Sequence, residues 1–296
     1  MGDDLLGMFQ DLDTDRQDFR VRETYLRAPF KYIGSKKQEV PFLMQQIPYR
    51  DSYIEVFGGS AALLLARDRS KLEVYNDRHS GIVAFYRCLR DADKLGKLID
   101  RLELTLHSRE EFVWSKEQLA LTTDDVERAA LWYYTQVYSF AGKGMFYGRS
   151  TTTPTVTPAL QDRFPLLKQL HQRLKHVQIE NLDWRQCLQD FDSPGAVFYL
   201  DPPYYRAAGS VYSYMLSDTD HTEMCQRIMQ MKAFVALSGF NNDLYNSFLW
   251  DKIVTLPIET GSSIEPASNN ETSNPYQGNM DRGRGIREVL WIKESS

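Results

Sequence analysis

Little in this 296-residue chain points to a membrane, an oxidising compartment or a metal. No stretch approaches the roughly 18 uninterrupted apolar residues of a membrane helix, and residues 1 to 20 are acidic rather than basic and then apolar, which reads against a secretory signal. The three cysteines, Cys88, Cys187 and Cys225, are far apart, odd in number and without Cys-x-x-Cys spacing, so they frame neither a disulfide scaffold nor a zinc site. No Gly-Lys-Ser/Thr follows the chain's glycine-rich turn, which excludes a phosphate loop. Internal repeats are absent. These absences predict a cytoplasmic protein in a reducing compartment, with no membrane partner and no bound metal.

Acidic and basic residues are nearly balanced, 40 against 35, for a net charge of −5. Taken globally, that balance argues against a phosphate-rich partner. Its distribution says otherwise. Residues 1 to 19 hold six aspartates against Arg16 alone, so this solvated tail accounts for the whole excess. Between Val137 and His176, Lys143, Arg149, Arg163, Lys168, Arg173 and Lys175 face only Asp162. Local fields steer binding, and this stretch is basic.

From Tyr53 a strand, a glycine turn and an apolar helix follow one another: Tyr53 to Phe57, Gly58-Gly59, then Ala61 to Ala66. A second strand, Leu72 to Tyr75, stops at Asn76-Asp77, and helical spacing resumes at Ile82, Phe85 and Leu89. This βαβα rhythm predicts a doubly wound parallel sheet. The rhythm breaks between about Asp91 and Arg185, where Lys94–Leu106, Arg109–Gln118 and Asp124–Val137 read as helices, and a Gly/Ser/Thr/Pro-rich stretch spans Ser139–Pro158. It returns with the apolar run Ala196–Leu200, helix Asp220–Met231, strand Phe234–Leu237 and closing strands at Lys252–Leu256 and Arg287–Ile292, the last two joined by a long polar loop. The predicted organisation is a tail at 1–19, a sheet domain at 20–90 with 186–296, and a mostly helical insertion at 91–185.

Asp201-Pro202-Pro203-Tyr204 closes the apolar strand, at the sheet edge where ligands of open α/β folds gather. Two prolines remove two backbone donors and leave carbonyl acceptors, and an ionised Asp201 is acceptor-only. Together they suit an amine with two hydrogens to give, while Tyr204 offers a ring on which a heterocycle can stack. The bland alternative is a strand-ending turn. In Phe57-Gly58-Gly59-Ser60-Ala61 the missing Cβ atoms admit a ligand close to the backbone, and Asp77 follows Gly59 at about the 20-residue spacing of a ribose-binding acid; tight strand–helix packing is the alternative. Lys31-Tyr32-Ile33-Gly34-Ser35-Lys36 sets two lysines around an aromatic and a Gly-Ser turn, where Ser35 could instead cap a helix.

In this order the three segments resemble the DNA adenine methyltransferases of the Dam type, the α-ordered amino-methyltransferases, from about Phe30 to Ile292. The resemblance implies a Rossmann-like α/β sheet dependent on S-adenosylmethionine, with a helical target-recognition domain inserted between loop and tetrapeptide. It assigns catalysis to Asp201, Pro202, Pro203 and Tyr204, and cofactor binding to Tyr32, Lys36, Phe57, Gly59, Asn76, Asp77 and Asp201. Ala61 stands where the family's turn has its last glycine. Double-stranded DNA is the implied partner, met by a monomer or a dimer, through Lys31, Lys143, Tyr147 and Arg149. Aromatics, glycines and hydroxyls interleave with cations from Ser139 to Thr151, as a backbone-contacting loop requires. Val137-Tyr138-Ser139 departs from the Arg-Tyr-Asn of GATC-specific enzymes, so recognition of GATC is not implied.

The implied chemistry is direct methyl transfer to the exocyclic amine of a flipped-out adenine, in a prokaryotic or phage-infected cell and in a restriction-modification setting. Rivals are methylation of cytosine N4, an RNA adenine or a glutamine amide, and a non-catalytic DNA-binding relative. Cytosine enzymes usually carry Ser, and glutamine enzymes Asn, at the place of Asp201.

Overall fold

The computed structural model describes residues 25–32, 34–148, 160–206, 214–256 and 288–295; the acidic tail, Arg149 and the polar loop before residue 288 lie outside them. Seven strands form one sheet: β1 (Ser52–Glu55), β2 (Leu72–Asn76), β3 (Gln178–Glu180), β4 (Ala196–Leu200), β5 (Phe234–Phe240), β6 (Lys252–Thr255) and β7 (Glu288–Lys293), in the order β3-β2-β1-β4-β5-β7-β6. The first five are parallel, and β7 runs antiparallel between β5 and β6. Every residue of β4 is buried, as a central parallel strand covered on both faces must be. This is the Rossmann-like sheet the sequence predicts.

Alternate residues along the strands feed two cores. Tyr53, Tyr75, Val197, Ala236 and Leu290 face one side; Ile54, Val74, Phe198, Leu237 and Trp291 face the other. The first side is covered by α1 (Val40–Gln46), α2 (Ala62–Ala66), α3 (Ser80–Arg90), α4 (Ala92–Glu103), α6 (Asp125–Val137) and α7 (Phe164–Leu174), with α5 (Arg109–Leu119) outside α6. The second is covered by α8 (Trp184–Phe191), α9 (Asp218–Gln230) and α10 (Asp243–Asn246). Three of the outer helices start on side-chain caps: Asp91 accepts from Lys94 N, Ser108 from Glu111 N and Asp124 from Glu127 N.

The stretch 91–185 is helical as predicted, with two differences. It also contributes β3, a strand too short for alternation to register, which pairs with β2. Its helices share one apolar core with the sheet rather than closing one of their own: Phe85 stacks on Tyr133 with ring centroids 4.6 Å apart, and Phe30 meets Trp132 edge-on at 5.0 Å. Ser35 caps no helix; α1 begins five residues later, and Ser35 Oγ bonds Ser60 Oγ at 2.9 Å. The tail and the 257–287 loop are among the sequence expectations that fall outside the described residues.

Two buried polar contacts tie helices to strands. Arg173 of α7 grips Glu73 of β2 with two nitrogens, each at 2.6 Å, and donates from Nη2 to Leu64 O at 2.6 Å. Glu55, at the end of β1, accepts from Tyr53 Oη at 2.8 Å and from Leu64 N at 2.6 Å, both on Oε1. Burial pushes the Glu55 carboxyl up to about 7 against the pull of these donors and of Arg67 and Arg173.

Arg173→Met leaves Glu73 buried without its cation and should cost about 3–5 kcal/mol, read as a lower denaturation midpoint. The double replacement Arg173→Met with Glu73→Leu should recover most of it. For Glu55, the native carboxyl binds its proton more tightly than the unfolded chain, whose value is near 4.5, so stability is lost as pH rises from there through 7. Glu55→Gln keeps the acceptor oxygen and removes the charge. Its melting temperature should exceed wild type at pH 8 and converge with it near pH 4.5; a gap independent of pH would refute the assignment.

Candidate active site

Strand order reverses between β1 and β4, and the carboxyl ends of β1, β2 and β4 lie side by side there, with Glu55 in register with both Tyr75 and Tyr199. A cavity of about 520 Å³ opens over those ends. Its first wall is the turn from Phe57 to Ala61. Gly59 has φ +46° and Ala61 φ 54°, both left-handed, so Ala61 keeps the turn that the family pattern builds with glycine. A Cβ on Gly58 would fall 2.2 Å from the Tyr75 ring and one on Gly59 3.1 Å from Tyr32, which places Tyr32 over the turn.

Asp77 closes this wall. Its carboxylate accepts from Gly59 N and His79 N, each at 2.8 Å. Burial raises its pKa, and the two backbone donors oppose that. Asn76 lines the cavity too, but its amide braces the backbone: Nδ2 donates to Val56 O at 2.8 Å and Oδ1 accepts from Leu182 N at 2.8 Å. Phe57 lines the cavity half-buried.

A second wall comes from Asp183, Trp184 and Arg185 at the start of α8, which sequence reasoning missed. Asp183 caps the helix through Arg185 N at 3.0 Å, and the Arg185 guanidinium lies 4.2 Å over the Trp184 ring. Trp184 Nε1 is buried and has no hydrogen-bond partner. An Asp-Trp pair carries no motif by itself; its signal is its position just after a strand, and that strand is three residues long.

At the base, Asp201, Pro202 and Pro203 line the cavity at the end of β4. Lys36 Nζ sits 2.8 and 2.7 Å from the two oxygens of Asp201, and Ser238 Oγ of β5 donates to Oδ1 at 2.9 Å. Lys36 also reaches Tyr204 Oη at 2.6 Å and Glu288 Oε1 at 3.1 Å, and Tyr204 donates to Glu288. Burial alone would lower the Lys36 pKa; Asp201 and Glu288 outweigh it, and the ammonium stays charged. Burial, with Glu288 adding to it, raises Asp201 against the pull of Lys36. The sequence places Lys36 at the cofactor and Tyr204 at an incoming ring. In the structure both belong to this cluster: Tyr204 is 9% exposed, does not line the cavity, and packs edge-on against Phe240 at 4.4 Å. Ser238 and Glu288 went unread, because they sit on strands whose only sequence signal is apolar alternation.

Of the DNA-assigned residues, Lys31, Lys143 and Tyr147 are described. Lys143 is exposed and lines the cavity mouth, and Lys31 is exposed beside it. Gln136 joins their segments by donating from Nε2 to Lys31 O at 2.6 Å and to Gly142 O, while Gly142, at φ +68°, packs directly on the Lys31 backbone. Tyr147 is half-buried under the Arg109 guanidinium, 5.3 Å from its ring centre, in an isolated bridge with Ser139. His221 is buried and bonds the Tyr245 hydroxyl at 2.6 Å, away from these groups. Among the described residues no helix is long and apolar enough to cross a membrane, and no cluster of three or more His, Cys, Asp or Glu could hold a metal.

A search of curated proteins finds no match. The family model of D12 class N6 adenine-specific DNA methyltransferases matches residues 32–254. That span opens on Tyr32 above the glycine turn and takes in both cavity walls and the Asp-Pro-Pro-Tyr base, so the chain belongs to this family and is an adenine-specific DNA methyltransferase.

Proposed function

We propose that the cavity holds S-adenosylmethionine and that the protein moves its methyl group to the exocyclic amine of an adenine flipped out of duplex DNA. The observation that carries this is Asp201, a carboxylate in the cavity wall with both oxygens on the Lys36 ammonium, followed directly by Pro202. The residues suit the cofactor: the glycine turn, packed under Tyr75 and Tyr32, borders the cavity, Asp77 is placed for ribose hydroxyls, and Trp184 Nε1, unpartnered among the described residues, supplies a buried donor. Tyr32, Phe57 and the Asn76 brace complete that side, and Lys36 acts by holding Asp201.

When bound, S-adenosylmethionine supplies an electrophilic methyl on a sulfonium. The protein's share is placement. Asp201 and the Pro202 carbonyl accept the two amine hydrogens and hold the nitrogen lone pair toward the methyl, with no covalent link to the chain. Tyr204 must turn outward from Glu288 to stack on the base, and the Pro202-Pro203 backbone limits how far the chain yields as it does so. Base flipping itself costs a few kcal/mol. Lys31, Lys143, Tyr147 and Arg149 meet the DNA, with 91–185 as the recognition region, and the enzyme works in the cytoplasm as a monomer or a dimer on its site.

With labelled donor and unmethylated DNA, digested to nucleosides, label should appear in N6-methyladenine. Asp201→Ala should lower the turnover rate by about 100-fold or more; near wild-type transfer by that variant, or label in cytosine, would sink the reading. Lys143→Ala should weaken DNA binding uniformly across sequences and reduce the slope of log K against log salt by about one unit. An unchanged slope would remove Lys143 from the interface.

A further inference from the structure

The base of the cavity is unusual in its charge count. Lys36 is the one cation in contact with Asp201 and Glu288 among the described residues, at 2.7 and 3.1 Å. Tyr204 bridges the ammonium and Glu288 with its hydroxyl and contributes no charge, since burial and the two carboxylates push its pKa far up. Ser238 gives Asp201 a neutral donor. Glu39, at the start of α1, faces the same three charged groups with Oε2 buried and unpartnered, and burial raises it toward its neutral form. Tyr199, from β4, also faces Asp201 and Glu288, and burial raises it as well. Counted formally among the described residues, two carboxylates, Asp201 and Glu288, share one ammonium, Lys36, which leaves the cluster one negative charge in excess.

We propose that Glu288 is a positioning residue for methyl transfer: by sharing Lys36 with Asp201 it leaves the centre one negative charge in excess, which favours the cationic donor over its neutral product and retains the proton the amine gives up. This rests on the reading of the cavity as a S-adenosylmethionine site. The balance closes on both sides of the reaction. Before transfer, the excess charge faces a sulfonium. In transfer the N6–C bond forms, the S–C bond breaks with its electron pair going to sulfur, and the amine nitrogen releases one proton to an Asp201 oxygen. Donor has become a neutral thioether and the base a neutral methylamine, and the cluster now holds that proton. Lys36, bonded to both carboxylates, can pass one of its protons to Glu288 and take up the one on Asp201, so Glu288 shares the load without touching the substrate. Without the Glu288 charge, Asp201 and Lys36 already cancel, and this cluster no longer compensates the sulfonium.

Two calorimetric measurements on the full chain test this. First, S-adenosylmethionine and S-adenosylhomocysteine are bound to the wild-type protein near pH 7 in buffers of different ionisation enthalpy. Product binding should take up more protons than donor binding; equal uptake overturns the proposal, and this arm needs no variant. Second, Glu288→Gln keeps the size and the acceptor oxygen for Tyr204. Its preference for donor over product should fall by about tenfold, with the difference in proton uptake abolished. A preference ratio unchanged in the variant, with both affinities moving together, assigns Glu288 a packing role only and overturns the proposal. If neither molecule binds the wild-type chain, it is the cofactor reading that fails, a result distinct from both.

Discussion

A lysine ammonium at 5% exposure is the constraint around which this active site is assembled. Removing such a charge from water is costly, and only close acceptors make it tolerable. Lys36 finds them 165 and 168 residues along the chain, on Asp201 and Tyr204, and again on Glu288 at the start of β7. Those partners reach one another only when β4, β5 and β7 are already paired, since Ser238 and Phe240, which buttress Asp201 and Tyr204, belong to β5. Asp201 is thus aimed by partners that the completed sheet brings together. Buried ion pairs of this kind add little net stability, so the reason to keep one here lies in what Asp201 does.

Two carboxylates line the same cavity under different constraints. Asp77 has both oxygens on backbone N–H groups of the glycine turn and of α3, which fixes it to the wall. Asp201 is bound by a side-chain cation and a hydroxyl, groups that can shift or exchange a proton. Environment can set two carboxylates of one cavity apart in this way. The glycine turn supports the first: Gly58 gives its space to the Tyr75 ring, whose hydroxyl in turn holds Gly59 O at 2.8 Å, so turn, strand and acid form one rigid unit.

Much of this was legible from sequence. β1, β2, β4 and β5 and the helices after the first three announce themselves by period and by terminating residues, and Asp201 and Asp77 draw notice because each follows an apolar strand; α10, four residues long, goes unread. What stayed hidden depends on partners distant in the chain. β3 has three residues, too few to show alternation, and with it went Asp183 and Trp184. Glu288 and Ser238 are single polar residues on apolar strands, and the pairing of β5 with β7 gives them meaning. Tyr204 was correctly placed in the tetrapeptide, yet its inward orientation follows from Phe240, Lys36 and Glu288, none of which the motif contains. The shared core of the 91–185 helices was hidden for the same reason: their apolar faces are visible, while the choice of α3 as their neighbour is tertiary.

That shared core has a mechanical consequence for the rim. Residues 29–32 end at Tyr32, over the glycine turn, and the helical region holds their carbonyls: Tyr133 and Arg163 donate to Pro29 O at 3.2 and 2.6 Å, and Gln136 donates to Lys31 O. The same Gln136 nitrogen holds Gly142 O, one residue from Lys143, and Lys116 of α5 fixes Met145 O at 2.7 Å. The loop that carries Lys143 and the segment that ends at Tyr32 are therefore both fastened to α6, which is buried along most of its length. Packed helices do not deform continuously. A displacement of the loop therefore strains its bonds to Lys116 of α5 and Gln136 of α6, and Gln136 also holds the Lys31 carbonyl next to Tyr32, above Gly59.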